Sequence, residues 1–179
     1  MSAVAQRYPR HKRITSVLVL LFFALWTGYV LLMPNAAKGE GIPIGKPAPD
    51  FELKTIDGKS YRLSELKGKP VMINFFATWC PSCRAEMPAM VEAYNELKGA
   101  GFEILAVNLN ESDIAIRTFT EKFQINFPIV VDKDDRISRM YEIVPLPTSY
   151  FVDKNGVVQE KWTGEIRKEQ LLSLVKKMQ

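Results

Sequence analysis

The chain has 179 residues, of which 47% are hydrophobic and 25% charged, and its formal net charge is +4. The excess comes from four basic residues before Ile14, where there is no acid, and it leaves 20 basic and 20 acidic residues in the rest of the chain. Because no basic stripe follows, the composition excludes a nucleic-acid-binding protein, and the basic leader is interpreted as a membrane-topology signal.

Residues 14–33 are predicted to be a transmembrane anchor. They carry no charged side chain, and about 20 apolar residues suffice to cross a hydrocarbon core of roughly 30 Å. The positive-inside rule places the leader, residues 1–13, in the cytoplasm and the remaining chain on the outer side of the cell membrane. The alternative is a cleaved signal peptide, whose apolar region is typically only about 7 to 15 residues. Asn35-Ala36-Ala37 is a poor cleavage site, so a retained single-pass anchor is favoured.

Residues 34–49 are rich in Gly, Pro, Ala and Lys and are predicted to be a tether, which leaves residues 50–179 as one domain. Asp57-Gly58 between two short strand patterns predicts an N-terminal hairpin. The continuous apolar segment over 71–77 predicts a central strand that is buried on both faces.

Beyond that strand, helical and strand patterns alternate. They predict helices over 81–98, 112–123, 134–141 and 168–177, and strands over 102–108, 128–131, 148–152 and 157–162. The last two strands flank Asn155-Gly156 and predict a second hairpin. This order is typical of the α/β class, with a central mixed β-sheet flanked by helices.

The two cysteines, Cys80 and Cys83, lie where the central strand gives way to a helix. A helix N-terminus has unpaired backbone N–H groups and a dipole that favour a thiolate, so Cys80 is the predicted nucleophile. Cys83, one helical turn further on, is the predicted resolving thiol. Pro81 suits the first helical position, where its missing N–H costs nothing.

Two other uses of this dithiol are less favoured. A zinc site needs four ligands, and the sole histidine, His11, lies in the basic leader. A structural disulfide across so short a loop gains little from loop entropy. We therefore expect a redox-active Cys80–Cys83 disulfide with no metal and no bound cofactor.

Three motifs of the chain resemble those of the thioredoxin superfamily: Phe75-Phe76-Ala77-Thr78-Trp79-Cys80-Pro81-Ser82-Cys83, Glu86-Met87-Pro88 and Pro145-Leu146-Pro147-Thr148. Within it, most of residues 41–179 is similar to the membrane-anchored TlpA/ResA group. The resemblance implies a thioredoxin-like fold with a helix-strand insertion from about residue 109 to 132. It also implies that Pro147 is a cis-proline beside the dithiol and that the backbone around Leu146 binds substrate. Trp79 is expected to be a surface aromatic that shields the dithiol.

Asn74 stands where thioredoxin has a buried aspartate that moves protons for the cysteines. Glu86 follows Cys83 by one helical turn and matches the glutamate that ResA-like proteins place near the dithiol. If Glu86 is buried, its pKa should rise, and it becomes a candidate acid or base for the thiols. A solvated helix glutamate is the alternative.

By this resemblance, we expect an extracytoplasmic thiol-disulfide oxidoreductase that reduces protein disulfides, such as the CxxC of apocytochrome c during cytochrome c maturation. Its electrons would come from a CcdA-like membrane dithiol donor. The main alternative is a reductase for other cell-envelope or spore-assembly clients.

Three other functions are less favoured. An oxidase of the DsbA kind normally has its helical insertion elsewhere in the chain. A copper-binding assembly factor on this fold carries CxxxC and a downstream histidine, whereas this chain has CxxC and no histidine after His11. A peroxidase needs a threonine and an arginine in an arrangement that Thr78 and Arg84 do not reproduce.

Overall fold

The computed structural model describes residues 10–32 and 41–178. The chain falls into two units, Met1–Lys38 and Gly39–Gln179. The described part of the first unit is one helix, α1 (Arg10–Leu32). Within the described ranges, no helix combines the length and apolar character needed to cross a membrane. The anchor over 14–33 therefore stays a prediction, and most of the predicted leader and the tether up to residue 40 lie outside the described residues.

The second unit is built on one seven-stranded sheet in the order β2-β1-β5-β4-β3-β6-β7. Its strands are β1 (Glu52–Lys54), β2 (Ser60–Arg62), β3 (Val71–Phe76), β4 (Glu103–Asn108), β5 (Ile129–Val131), β6 (Thr148–Val152) and β7 (Val158–Thr163). Its helices are α2 (Pro81–Leu97), α3 (Asp113–Phe123), α4 (Arg136–Met140) and α5 (Lys168–Lys176), with short 3-10 turns at Leu63–Leu66 and Lys98–Ala100. β3, β4 and β5 are parallel and the other pairings are antiparallel, so the sheet is mixed, as predicted.

Strand β3 lies in the middle of the sheet, and all six of its residues are buried. It pairs with β4 on one side and with β6 on the other. Because Phe76 pairs with Asn108 and Phe75 with Thr148, the end of β3, the end of β4 and the start of β6 meet at one edge of the sheet. That edge carries the dithiol.

The sheet separates two apolar cores, since successive strand side chains point to opposite faces. On one face, Met72 and Phe76 pack with side chains of α2, α3 and α5, and both cysteines belong to this cluster. On the other face, Ile73 and Phe75 pack with residues of and beside α4, including Tyr141. Both faces are therefore covered, and the predicted α/β class is confirmed.

The start of the domain differs from the prediction. Residues 41–49 were assigned to the tether, but Gly45 N–H donates to the Val158 carbonyl at 2.7 Å and Ala48 N–H to the Gly156 carbonyl at 2.9 Å. Gly41 has a φ of +72°, and a Cβ there would collide with the Tyr150 hydroxyl, so a glycine is required. The segment lies along the domain because backbone hydrogen bonds, which composition does not reveal, attach it there.

Candidate active site

The dithiol lies at the junction of β3 and α2. Cys80 is the N-cap of α2 and keeps an extended backbone, while Pro81 takes the first helical position. The Cys83 N–H donates to the Cys80 Sγ at 3.3 Å, so the sulfur occupies the place of an N-capping side chain. Both cysteines are free thiols. A thiolate at Cys80 would be stabilised by this N–H and by the helix dipole, which suits the predicted nucleophile.

The two thiols differ in accessibility. Cys80 is 5% exposed, whereas Cys83 is wholly buried. Burial, the hydrogen bond with Cys80 and the charges of Cys80 and Glu86 raise the pKa of the Cys83 thiol far above its usual range. Cys83 therefore holds its proton at neutral pH, and Cys80 is the more accessible of the two thiols.

Glu86 lies on α2 one helical turn after Cys83 and is only 1% exposed. Its carboxylate accepts hydrogen bonds from Asn74 Nδ2 at 2.8 Å and from the Ile166 N–H at 3.2 Å. Burial raises its pKa to about 8; these two bonds oppose the rise, and the charge of Glu165 adds to it. A carboxyl with this pKa exchanges its proton near neutral pH, as the predicted acid or base must. The alternative of a solvated glutamate is wrong.

Asn74 connects Glu86 to strand β6. Its side chain is fully buried, and Nδ2 donates to Glu86 and to Ser149 Oγ at 3.0 Å. The other amide atom, Oδ1, has no hydrogen-bond partner among the residues that the structure describes. Asn74 thus supplies one N–H donor to the carboxylate, and it has no acidic proton to exchange, in contrast to an aspartate at this position.

The predicted substrate-binding residues lie at the same edge of the sheet. The Leu146–Pro147 peptide bond is cis, as the resemblance implied, and so is Val144–Pro145. Pro147 precedes β6, and its carbonyl accepts from the Gly164 N–H at 2.9 Å. Leu146 is partly buried against the cores, whereas Trp79 is 70% exposed. An exposed Trp79 confirms the expected surface position.

Glu111 is a residue of this edge that the sequence did not single out. It follows β4 and accepts hydrogen bonds from the backbone N–H and the hydroxyl of Thr78, two residues before Cys80. No spacing rule connects positions so far apart in the chain. The available signal was an acidic residue in the loop after a strand that neighbours the dithiol strand.

No metal centre accompanies the dithiol in the parts of the chain that the structure describes, 10–32 and 41–178. No three His, Cys, Asp or Glu side chains there are grouped so as to hold a metal ion.

Comparison with known proteins gives consistent matches. The model of the AhpC/TSA family matches residues 44–161. The thiol-disulfide oxidoreductase ResA of Bacillus cereus (strain ATCC 10987 / NRS 248) is 38% identical over 169 residues, which cover 94% of this chain and 98% of that protein. ResA of Bacillus subtilis (strain 168) is 41% identical over 150 residues, covering 84% of this chain and 83% of that protein.

Solved structures agree with these matches. A thiol:disulfide interchange protein of the thioredoxin family from Chlorobium tepidum TLS is similar with a TM-score of 0.70 and 31% identity, covering 76% of this chain and 98% of that one. StoA from Bacillus subtilis is similar with a TM-score of 0.63 and 27% identity, covering 73% of this chain and 98% of that one. The thioredoxin-like fold expected from the motifs is confirmed.

Proposed function

Because this chain belongs to the AhpC/TSA family of thioredoxin-like proteins and is a ResA-like thiol-disulfide oxidoreductase, we propose that it reduces protein disulfides outside the cytoplasm. The observation that carries the proposal is the asymmetric pair of thiols. Cys80, at a helix N-terminus, is the more accessible thiol, and Cys83 is a fully buried thiol that its raised pKa keeps protonated. We propose that this pair is the redox centre and that it needs no bound cofactor.

The reduction begins at Cys80. Its thiolate attacks one sulfur of the client disulfide, the client S–S bond breaks, and a mixed disulfide forms between Cys80 and the client. The departing client sulfur leaves as a thiolate and takes a proton from water. Cys83 keeps its own proton during this step because its buried thiol has a raised pKa.

Resolution uses Cys83 and Glu86. The Glu86 carboxylate accepts the Cys83 proton, and the Cys83 thiolate attacks the Sγ of Cys80. The bond between Cys80 and the client breaks, the Cys80–Cys83 disulfide forms, and the second client sulfur leaves as a thiol after protonation. Two electrons pass to the client, and the enzyme is left oxidised. A CcdA-like membrane dithiol donor would return the two electrons and restore the thiols.

The surface around Cys80 supports binding of an extended client segment. Trp79 offers an exposed apolar ring before the dithiol, and Pro81 is exposed directly after Cys80. The segment around Leu146 and Pro147 lies beside them, because β6 pairs with β3 at this edge. We propose that a client strand lies between these two loops, with its disulfide over Cys80.

The proposed location is the outer side of the cell membrane, with residues 14–33 as the anchor. The support is the uncharged segment and the basic leader that precedes it. A membrane-impermeant maleimide applied to intact, reduced cells tests this location. Labelling of Cys80 without lysis is expected, and labelling only after lysis would contradict it.

The proposed client is the CxxC disulfide of apocytochrome c, by similarity to the proteins named ResA. Reduced full-length protein is mixed with an oxidised CxxCH peptide and, separately, with a peptide whose disulfide closes the same loop but whose flanks and histidine are replaced. A rate constant about tenfold larger for the CxxCH peptide is expected, which equals a difference of about 1.4 kcal/mol in the barrier. Equal rate constants would favour the broader reductase for envelope or spore-assembly clients.

A further inference from the structure

Thr78 lies in the loop between β3 and Cys80, and its backbone N–H, its hydroxyl and its carbonyl all form hydrogen bonds. The Thr78 N–H donates to Glu111 Oε2 at 2.6 Å, and the Thr78 hydroxyl donates to Glu111 Oε1. The Thr78 carbonyl accepts from Arg84 Nη1 at 3.0 Å. The carboxylate of Glu111 thus binds the two donors of Thr78, and the guanidinium of Arg84 binds its carbonyl.

The acid is itself fixed in place. Glu111 Oε2 also accepts from Asn108 Nδ2 at 2.6 Å, and the Glu111 N–H donates to Asn108 Oδ1 at 3.1 Å. Asn108 is the last residue of β4 and is fully buried. Its side chain therefore anchors the carboxylate to the sheet, and both carboxylate oxygens point at the loop that carries the dithiol.

The base is held by the helix of the insertion. The Arg84 guanidinium lies 6.0 Å from the ring centroid of Phe119 and 5.7 Å from that of Phe123, both on α3. Glu111 of the insertion therefore binds Thr78 directly. The two phenylalanines of the insertion contact Arg84, which in turn binds Thr78. The insertion has a part in the active site besides covering the core.

Thr78 is placed to transmit this restraint to the reacting sulfur. It is followed by Trp79 and Cys80, and the Cys80 N–H donates to the Ala77 carbonyl at 3.2 Å, closing a turn around Thr78. A fixed turn sets the position of the Cys80 Sγ and of the exposed Trp79 ring. Small displacements of a reacting group cost much of its rate.

We propose that Glu111 is a positioning residue for thiol-disulfide exchange, which holds the Thr78 turn so that Cys80 and Trp79 are presented to the client. The inference rests on the proposed role of Cys80 as nucleophile and not on the identity of the client. Glu111 does not touch the sulfur. Its influence passes through the two hydrogen bonds to Thr78.

The test measures the rate constant for reduction of a generic oxidised peptide by the reduced full-length protein. Glu111→Ala removes both bonds to Thr78 and should lower the rate constant about tenfold or more. Glu111→Gln keeps one acceptor oxygen and should restore the rate to within about threefold of the wild type. Thr78→Val removes only the hydroxyl donor and should lower the rate about threefold. Glu121→Ala, which removes an exposed acid from the same insertion, serves as the charge control and should match the wild type.

A double-mutant cycle separates positioning from general damage. If Glu111 acts through Thr78, the variant with both Thr78→Val and Glu111→Ala should be no slower than Glu111→Ala alone, within about twofold. The inference would be overturned if the rate loss of the double variant equalled the product of the two single losses. A wild-type rate in folded Glu111→Ala would also overturn it. Should Glu111→Ala fail to fold, a wild-type rate in Thr78→Val would overturn it. Failure of the proposed function is distinguishable, because the wild-type protein would then be as inactive as Cys80→Ser.

Discussion

Glu86→Gln is expected to make the protein more stable and less active. Glu86 is buried and its pKa is raised to about 8, so the folded protein must hold a carboxylate in an apolar site at alkaline pH. Glutamine has nearly the same shape and its oxygen can accept one of the two hydrogen bonds, but it carries no charge at any pH. The substitution therefore removes a pH-dependent cost of folding together with the proposed base.

The size of the effect follows from the pKa. The pKa of the Glu86 carboxyl is 4.5 in the unfolded chain, its ordinary value, and about 8 in the folded protein. Between these values the folded state binds more protons than the unfolded state, so the free energy of unfolding falls as pH rises, by about 1.4 kcal/mol per pH unit. Because the slope flattens as the pH approaches 8, the wild type should lose about 3.5 kcal/mol from pH 5 to pH 8 that the variant keeps.

Urea unfolding of the reduced wild type, Glu86→Gln and the exposed control Glu121→Gln at pH 5 and pH 8 measures this difference. The wild type and Glu86→Gln should agree within about 1 kcal/mol at pH 5, and the variant should be more stable by about 3 kcal/mol at pH 8. Glu121→Gln should follow the wild type. Resolution of a mixed disulfide by Glu86→Gln should be slower by about 10²-fold. Parallel pH dependences of the wild type and Glu86→Gln would show that folding does not raise the Glu86 pKa.

Three further substitutions test other contacts. Cys83→Ser should accumulate a mixed disulfide between Cys80 and the client on a non-reducing gel, whereas Cys80→Ser should form none; the opposite pattern would reverse the assignment of the thiols. Asn74→Asp sets a second carboxylate against Glu86, so the pH–rate profile for resolution should shift to higher pH, and an unshifted profile would contradict this contact. Asp132→Ala removes the acceptor of two backbone N–H groups at the start of α4. Urea unfolding should therefore show a free energy of unfolding lower by about 2–4 kcal/mol. A decrease below about 0.5 kcal/mol would mean that these bonds are not important for stability.

Local sequence rules predicted most of the fold. The helix expected over 81–98 is Pro81–Leu97, and the strand expected over 148–152 is Thr148–Val152. The helix expected over 112–123 is Asp113–Phe123, and the Ser112 hydroxyl caps it by accepting from the Ala115 N–H at 3.3 Å. Turn residues, caps and apolar periodicity act over a few residues, so the sequence displays them directly.

These local rules do not predict contacts between segments that are distant in the sequence. The backbone N–H that binds Glu86 belongs to Ile166, which is 80 residues further along the chain. Glu111 and Thr78 are 33 residues apart and meet only because β3 and β4 are parallel neighbours. The motif therefore indicated the cysteines and Glu86, whereas the groups that restrain the turn and the carboxylate depend on tertiary packing.

The Cys80–Cys83 pair is proposed to act as a reductant. The most direct test is the reduction potential of this pair in the full-length protein, equilibrated against defined thiol-disulfide buffers. A value near or below the roughly −270 mV of thioredoxin is predicted, since it would let the enzyme reduce stable extracytoplasmic disulfides. A value near the roughly −120 mV of DsbA would identify the protein as an oxidant and contradict the proposed reductase function.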